Sequence, residues 1–306
     1  MGVECALKVV IVGAGAIGLL IGSYLSEQKH EITYITRTHE QAVTLCTKGI
    51  TRIQPDGETV HTKVFASTEF NQAPTDALWI IAVKYHHLSS IEPHLKSLPE
   101  STALLFTQNG LAHLQWVNQF NNHPVYIATI EHGAMKEDSS IVVHKGIGVT
   151  KIAPYIKKTN HLDFTLFESP LFHIELAEDA YGIVLRKAIL NACINPITAV
   201  LQITNGELLT NSHAYFLMKT IFYEIESVFA EISQLLTFEE VKALCIKTAK
   251  NNSSMLQDRL NHRTTEIEPI VGALLQMAAT RDRDLPVLRT LYHLVLAIDE
   301  IGQSHD

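Results

Sequence analysis

The sequence predicts an α/β fold, with an N-terminal Rossmann-like doubly wound sheet followed by an all-helical C-terminal domain. A short β-branched run, Lys8–Val12, leads directly into a glycine-rich turn and then into a helix. Further short apolar runs, of the kind that form buried parallel strands, recur up to Leu176. After Glu178 long segments with helical spacing replace them. We therefore expect two domains, residues 1–177 and residues 178–306.

The opening strand–turn–helix unit carries a dinucleotide-binding motif, GxGxxG, before a helix predicted over Leu19–Gln28. The first glycine of this motif permits a tight turn, the second lets a pyrophosphate approach the backbone, and the third lets helix and strand pack closely. The anion lies at the helix N-terminus, where unpaired N–H groups and the helix dipole favour it. The residues expected to contact the cofactor are Gly13, Ala14, Gly15, Ala16, Ile17 and Gly18.

A positive residue stands where NAD enzymes usually carry an acidic one. The second strand, Glu31–Ile35, is followed by Thr36, Arg37 and Thr38. An acidic residue about 20 positions after the glycines would hold the ribose 2′-hydroxyl of NAD. Arg37 would instead attract the 2′-phosphate of NADP, and no carboxylate among these three residues repels it. The sequence therefore favours NADP, and an ordinary solvated loop arginine is the alternative interpretation.

The remaining strands of the first domain are read from apolar runs and from turn residues. Pro55-Asp56-Gly57 is a turn sequence between two β-prone runs, which predicts a hairpin, and a glycine-rich connection predicts another. The predicted hairpins pair Ile50–Gln54 with Thr59–Phe65, and Ile141–His144 with Val149–Ala153. Buried strands are predicted at Leu78–Val83, Ala103–Thr107, Val125–Thr129 and Ile174–Leu176.

Polar or glycine residues follow several of these strands at once. Lys84 comes directly after one strand, and Asn109 lies just beyond the next. In doubly wound sheets, ligands bind beyond the carboxyl ends of the strands, where Gly13 and Arg37 are also expected. Alone, Lys84 could be a solvated lysine and Asn109 part of a plain turn. Four such positions at the same edge favour a binding site.

The first helix of the C-terminal half, Tyr181–Gln202, is apolar on almost every face but carries three polar residues at steps of four. These are Lys187, Asn191 and Asn195. Steps of four keep side chains on one stripe of a helix, so the three should point to one place. One such residue would suggest an internal hydrogen-bond network. Three in register favour a cleft that holds a polar ligand, because a buried ammonium is costly unless it is compensated.

Four more helices are predicted after this one. They are His213–Leu235, Phe238–Asn251, Ile270–Thr280 and Pro286–Ile301, and Thr237 begins a capping-box pattern. Small polar residues at Asn251–Ser254 interrupt the helices. From periodicity alone, Ser254 reads as a helix cap and Glu266 as a surface carboxylate. The domains are expected to pack directly, with the cleft between them.

Composition excludes several other classes of protein. The chain has 306 residues and a formal net charge of −8, which disfavours electrostatic binding of nucleic acid. Its four cysteines are widely spaced, and its sixteen histidines form no metal-binding spacing, so neither a disulfide framework nor a metal is expected. We read neither a secretory signal nor a membrane span, and we expect a cytoplasmic enzyme or binding protein.

The sequence resembles the ketopantoate reductase (2-dehydropantoate 2-reductase) family over nearly its whole length. The helix pattern K-x3-N-x3-NP-x-TA and the SSMLQD segment followed by TEI are far more specific than the glycine turn. The resemblance rests on Gly13–Gly18, Val83-Lys84, Gln108–Gly110, Arg186–Ala199, Asn205–Leu208, Ser253–Asp258 and Thr265–Ile267. Where the family often shows an asparagine, this chain has Val271 and Leu288.

The resemblance implies a function and a role for each candidate residue. The reaction would be NADPH-dependent reduction of ketopantoate to (R)-pantoate, on the route to pantothenate and coenzyme A. Lys187 would be the general acid, and Glu266 would partner that lysine and the cofactor. Asn191 and Asn195 would position the substrate, and Ser254 would bind its carboxylate end. Lys84 and Asn109 would hold the cofactor near its reactive end, with Asn109 also near the substrate.

Two other functions are also compatible with the sequence. A related 2-keto acid reductase would use the same residues on a different side chain. A non-catalytic NADP-binding sensor would keep Gly13–Gly18 and Arg37 but would not need Lys187, Asn191 and Glu266 together. A small 2-keto acid is the expected partner, with no nucleic acid and no membrane. The long apolar helices are compatible with a homodimer or with packing only on each other.

Overall fold

The chain forms two compact units, one built on sheets and one on helices. The computed structural model describes residues 6–156 and 162–303, so Cys5 lies outside the described part. Unit 1 comprises the residues up to Gln108 together with Val117–Ile183, and unit 2 comprises Asn109–Trp116 and the residues from Val184 onwards. The predicted fold class is confirmed, while a boundary at residue 177 stays a prediction.

Unit 1 contains an eight-stranded sheet in the order β12-β11-β8-β7-β6-β1-β2-β5. Its strands are β1 (Lys8–Val12), β2 (Glu31–Ile35), β5 (Phe65–Ser67), β6 (Leu78–Ile81), β7 (Leu104–Phe106), β8 (Val125–Ile130), β11 (Val149–Ile156) and β12 (His173–Leu176). β1 pairs in parallel with both β2 and β6, so the chain reverses its direction of winding between β1 and β6. This is the switch point of a doubly wound sheet, beside which ligands bind.

A second sheet of four strands, in the order β4-β3-β10-β9, also belongs to unit 1. Its strands are β3 (Ile50–Ile53), β4 (Thr59–Thr62), β9 (Gly133–Lys136) and β10 (Ile141–Gly146). β3 and β4 pair antiparallel, as the Pro55-Asp56-Gly57 turn predicts. Phe65, expected at the end of β4, instead begins β5 in the larger sheet.

The second predicted hairpin is wrong in its pairing. β10 pairs antiparallel with β9 in the small sheet, whereas β11 pairs antiparallel with β8 in the large sheet. The real turn lies at 137–140, where the Glu137 amide donates to the Ile141 carbonyl at 3.0 Å. β9 has the sequence GAMK, without a β-branched residue, so the partner of β10 carries little strand signal.

The first helices of unit 1 flank the large sheet and set the position of the glycine turn. They are α1 (Ala16–Glu27), α2 (His39–Lys48) and α3 (Leu88–Lys96). α1 follows the turn directly, and the Tyr34 hydroxyl of β2 donates to the Gly18 carbonyl at 2.7 Å. Tyr34 is fully buried, so this bond fixes the start of α1 against the sheet from inside the core.

The helices of unit 2 are more numerous than the sequence predicts, and several predicted boundaries differ from those in the structure. They follow α4 (Ala112–Val117) and are α5 (Ala180–Leu201), α6 (Glu207–Thr210), α7 (Ser212–Val228), α8 (Ile232–Leu235), α9 (Phe238–Lys247), α10 (Ser254–Leu260), α11 (Ala273–Ala279) and α12 (Pro286–Gln303). The helix expected over 213–235 is broken into α7 and α8, and a π-helical turn, Glu268–Gly272, precedes α11. The capping box at Thr237 is confirmed.

α5 is largely buried in the folded protein. By length and composition alone it could cross a membrane, but 72% of its apolar window is buried inside the protein. Leu185, Ala188 and Ile189 have no exposed surface. That burial is what the core helix of a globular protein shows, because its apolar face is already covered by other elements.

Candidate active site

The glycine turn of unit 1 has the backbone geometry that its sequence predicts. Gly13 has φ +106°, a conformation that side chains rarely adopt, and its amide donates to the Ile35 carbonyl at 2.9 Å. A Cβ on Gly18 would lie 2.0 Å from the Gly13 carbonyl oxygen, so helix and strand approach too closely for any side chain. A Cβ on Gly15 would meet nothing within 4 Å. The backbone at Gly15, which caps α1, is therefore open to an approaching anion.

Positive side chains gather at the carboxyl ends of β2 and β6. Arg37 is exposed, and Lys84 is half-buried at the start of the turn after β6. Burial, the Arg37 guanidinium and the Lys84 ammonium, in that order, hold the pKa of His87 below its usual value. The Nε2 of Gln108 donates to the Ile81 and Val83 carbonyls, at 2.9 Å each, and so fixes the segment leading to Lys84. This edge can attract a phosphate.

Unit 2 presents the polar stripe of α5. Asn195 is 5% exposed, whereas Lys187 and Asn191 are half-buried, so the lysine is less enclosed than the apolar sequence around it suggests. The Nδ2 of Asn195 donates to the Ser254 hydroxyl at 3.4 Å. Asn195 of the predicted stripe and Ser254 therefore lie side by side, as the motifs require.

Two adjacent serines at the start of α10 make different hydrogen bonds. Ser253, not Ser254, is the cap, and its hydroxyl accepts from the Leu256 amide at 3.1 Å. Ser253 also receives a hydrogen bond from Thr198 of α5, at 2.7 Å. The interpretation of Ser254 as a cap is thus wrong. Ser254 is an exposed residue, and its hydroxyl accepts the hydrogen bond from Asn195.

Asn109 and Glu266 meet within unit 2, although they are far apart in the sequence. The Nδ2 of Asn109 donates to a carboxylate oxygen of Glu266 at 2.8 Å. The next residue, Gly110, has φ +80°, and the Leu111 amide donates to the Pro269 carbonyl at 2.9 Å. Two hydrogen bonds thus hold the segment after β7 against the residues around the π-helical turn. Glu266 is a positioned carboxylate rather than a solvated surface one.

His113 was not singled out from the sequence, yet it lies in the same region. It is fully buried on α4. Burial lowers the pKa of His113 to about 4; the Gly110 backbone opposes this, and the Lys187 ammonium adds to it. A histidine three residues after an Asn-Gly turn carries no signal of burial, so only the folded chain reveals it.

We expect His113 to make stability depend on pH in the acidic range. Its pKa is lower in the folded protein than the ordinary value of 6.5, so the unfolded chain binds more protons between about pH 6.5 and pH 4. The contribution of the neutral His113 ring to the free energy of unfolding is therefore fully present above about pH 6.5. It decreases as the pH falls from about 6.5 to about 4. Melting curves of wild type and His113→Leu at pH 7.5 and about pH 5 should show a smaller loss in the variant.

The exposed His213 provides the matched control for this measurement. His213→Leu should lose as much stability on acidification as the wild type does, because its ring is hydrated in both states. Equal losses for wild type and His113→Leu would contradict the assignment of a neutral, buried ring at position 113.

The predicted site residues thus fall into two groups. Unit 1 holds the glycine turn, Arg37 and Lys84, and unit 2 holds the remainder. The unit 2 group consists of Asn109, Lys187, Asn191, Asn195, Ser254 and Glu266. Among the described residues, no group of three or more His, Cys, Asp or Glu side chains could hold a metal ion.

Comparison with known families gives matches over both units. A family model described as ketopantoate reductase PanE/ApbA matches residues 9–157, and the model of its C-terminal part matches residues 179–299. A 2-dehydropantoate 2-reductase of Listeria monocytogenes is 38% identical over 301 residues, which cover 97% of this chain and 98% of that protein. The Bacillus subtilis protein of the same name is 34% identical over 304 residues, covering 96% and 98%.

Solved structures show the same similarity in three dimensions. A probable 2-dehydropantoate 2-reductase from Bacillus subtilis has a TM-score of 0.82 and 33% identity, and covers 95% of this chain and 100% of its own. A D-mandelate dehydrogenase in a ternary complex with NADH and anilino(oxo)acetate has a TM-score of 0.83 and 25% identity, with coverage of 97% and 100%.

Proposed function

Because this chain belongs to the ketopantoate reductase family, we propose that it catalyses the NADPH-dependent reduction of 2-dehydropantoate (ketopantoate) to (R)-pantoate. The observation that carries the proposal is the end-to-end similarity to reductases named for that substrate. The reaction would supply pantoate for pantothenate and coenzyme A. We assign it to the cytoplasm, with small molecules as its partners.

The fit of a dinucleotide to unit 1 supports the cofactor. Gly13 and Gly18 permit a turn that no side chain fills, and Gly15 leaves open space over the first backbone amides of α1. Arg37 and Lys84 supply positive charge at the same sheet edge. Arg37 would meet the 2′-phosphate, and Lys84 would hold the cofactor near its reactive end. NADPH, when bound, supplies the hydride. The residues of this chain bind it and orient it.

The roles proposed for unit 2 follow from the charge that develops during the reaction. Addition of a hydride to a ketone leaves negative charge on its oxygen, which a lysine ammonium stabilises and protonates. Lys187 is the proposed proton donor. Asn191, Asn195 and Ser254 would fix the keto acid by hydrogen bonds, with the Ser254 hydroxyl at its carboxylate. The Asn109–Glu266 pair would hold a carboxylate near the lysine and the cofactor.

A second candidate is reduction of another 2-keto acid with NADH. The similarity to D-mandelate dehydrogenase, which was solved with NADH, favours this alternative. Val271 and Leu288, where the family often shows an asparagine, are both fully buried in this chain. Their substitution therefore changes the interior of unit 2, through which substrate preference could differ.

A steady-state comparison of substrates and cofactors tests the proposal. We expect kcat/KM to be highest for ketopantoate with NADPH when ketopantoate, pyruvate and phenylglyoxylate are each assayed with NADPH and NADH. A preference for phenylglyoxylate with NADH would favour the mandelate-type activity instead. Tight NADPH binding without turnover of any keto acid would identify a cofactor sensor and would contradict the reductase function.

A further inference from the structure

We propose that Lys136 binds the 2′-phosphate together with Arg37. We further propose that Gln41 keeps these two cations at one site by linking the segments near them. Lys136 ends β9 in the small sheet of unit 1, whereas Arg37 follows β2 in the large sheet. The inference rests on the proposed use of NADPH and goes beyond it, because it assigns cofactor discrimination to a second sheet.

Gln41 provides the link between the two sheets. Its Nε2 donates to the Ala14 carbonyl of the glycine turn at 2.9 Å, and to the Ser139 carbonyl in the β9–β10 turn at 2.8 Å. A side-chain amide has two N–H groups, so it can make both bonds at once. Gln41 is half-buried in the first turn of α2, which Thr38 caps. The glycine turn, the start of α2 and the β9–β10 turn are thereby held together.

Arg37 and Lys136 are close enough to affect each other. Burial lowers the pKa of Lys136, the Asp138 carboxylate opposes this, and the Arg37 guanidinium adds to the lowering. Neither cation makes a hydrogen bond or an ion pair within the residues that the structure describes. The nearby Asp138 carboxylate is engaged by its own turn, since it accepts from the Ser139 amide at 2.6 Å.

Two neighbouring cations without ion-pair partners are more stable when an anion binds between them. A 2′-phosphate monoester carries a charge of about −1.5 to −2 at neutral pH, which can balance both. Arg37 offers a planar pair of donors and Lys136 a point charge, a combination that suits three equivalent phosphate oxygens. The ribose 2′-hydroxyl of NADH lacks this charge. Lys136 should therefore discriminate between the two cofactors.

The test measures affinities of the intact protein for matched pairs of ligands. Dissociation constants are determined for NADPH and NADH, and for adenosine 2′,5′-bisphosphate and adenosine 5′-monophosphate. Lys136→Ala should weaken NADPH and the bisphosphate by about tenfold, a size typical of a lost charge-assisted hydrogen bond, and should leave NADH and the monophosphate unchanged. Arg37→Ala should do the same or more. Raising the salt concentration should shrink both effects.

Two further variants make the test specific. Lys145→Ala removes an exposed lysine from β10 of the same small sheet and should alter none of the four affinities. Gln41→Ala leaves both cations in the chain but removes the link, so it should reduce the preference for NADPH over NADH. Adding Lys136→Ala to Gln41→Ala should then have a smaller effect than it has alone.

The outcomes separate this inference from the proposed function. A wild-type protein that binds NADPH no better than NADH would overturn both. If the wild type prefers NADPH but Lys136→Ala weakens all four ligands equally or none of them, the role of Lys136 is wrong. The proposed reductase function is then unaffected, and recognition of the 2′-phosphate is assigned to Arg37 alone.

Discussion

Replacement of Lys187 by methionine is expected to lower kcat with ketopantoate by about 10²–10⁴-fold, the range typical of a lost general acid. Methionine keeps most of the apolar stem of lysine but can neither donate a proton nor stabilise negative charge. The fold should survive, because Lys187 is only half-buried while the neighbouring Leu185 and Ala188 keep α5 packed. Turnover is measured at saturating substrate, together with NADPH affinity and the melting temperature.

Lys219→Met is the matched control for this variant, since Lys219 is an exposed lysine on another helix of unit 2. It should leave kcat unchanged. The Lys187 variant should bind NADPH with little change in affinity, because the residues proposed for cofactor binding are intact. Near-normal turnover in Lys187→Met would remove this lysine from the mechanism.

Replacement of Gly110 by alanine is expected to reduce kcat/KM by roughly 10²-fold, the cost that a misplacement of about 1 Å can carry in an active site. A Cβ at this position would lie 2.1 Å from the Pro269 carbonyl oxygen, so the backbone must move. That movement would separate Asn109 from Glu266, which are now joined by a hydrogen bond of 2.8 Å. Steady-state kinetics and thermal unfolding measure the two consequences.

Gly57→Ala separates steric overlap from backbone strain. Gly57 also has a positive φ, of +91°, but a Cβ there would meet nothing within 4 Å. Both variants should lose about 1 kcal/mol or more of stability from the unfavourable φ. Only Gly110→Ala should lose activity. Equal kinetics for the two variants would mean that the contact between Gly110 and Pro269 does not position the site.

The strands were predicted well because their signal is local, whereas their assignment to sheets was not. β1 and β2 match the predicted ranges, since β-branched runs bounded by turns identify buried strands. The antiparallel partner of β10 is β9, whose sequence has little strand character, so the sequence predicts a β10–β11 hairpin that the structure does not contain. Likewise, apolar spacing continues through Phe229 and Ile232, which hides the break between α7 and α8.

Part of the candidate site can be predicted from the sequence, because the spacing of residues along one helix is also a local signal. Steps of four on α5 place Lys187, Asn191 and Asn195 on one stripe without any knowledge of the rest of the fold. The choice between Ser253 and Ser254 as the cap depends on backbone angles, φ −62° and ψ 158° at Ser253, that the two identical residues do not reveal. The burial of His113 depends on tertiary packing alone.

The segment Asn109–Trp116 has a consequence for how the protein matures during synthesis. It is synthesised well before its partners Glu266 and Pro269. Asn109 and Glu266, for example, are separated by 157 residues. Domains generally fold as units from the N-terminus during translation. The sheets of unit 1 can therefore form while the segment Asn109–Trp116 still lacks its partners Glu266 and Pro269. A chain that terminates before Glu266 would therefore lack the carboxylate to which Asn109 donates in the complete protein.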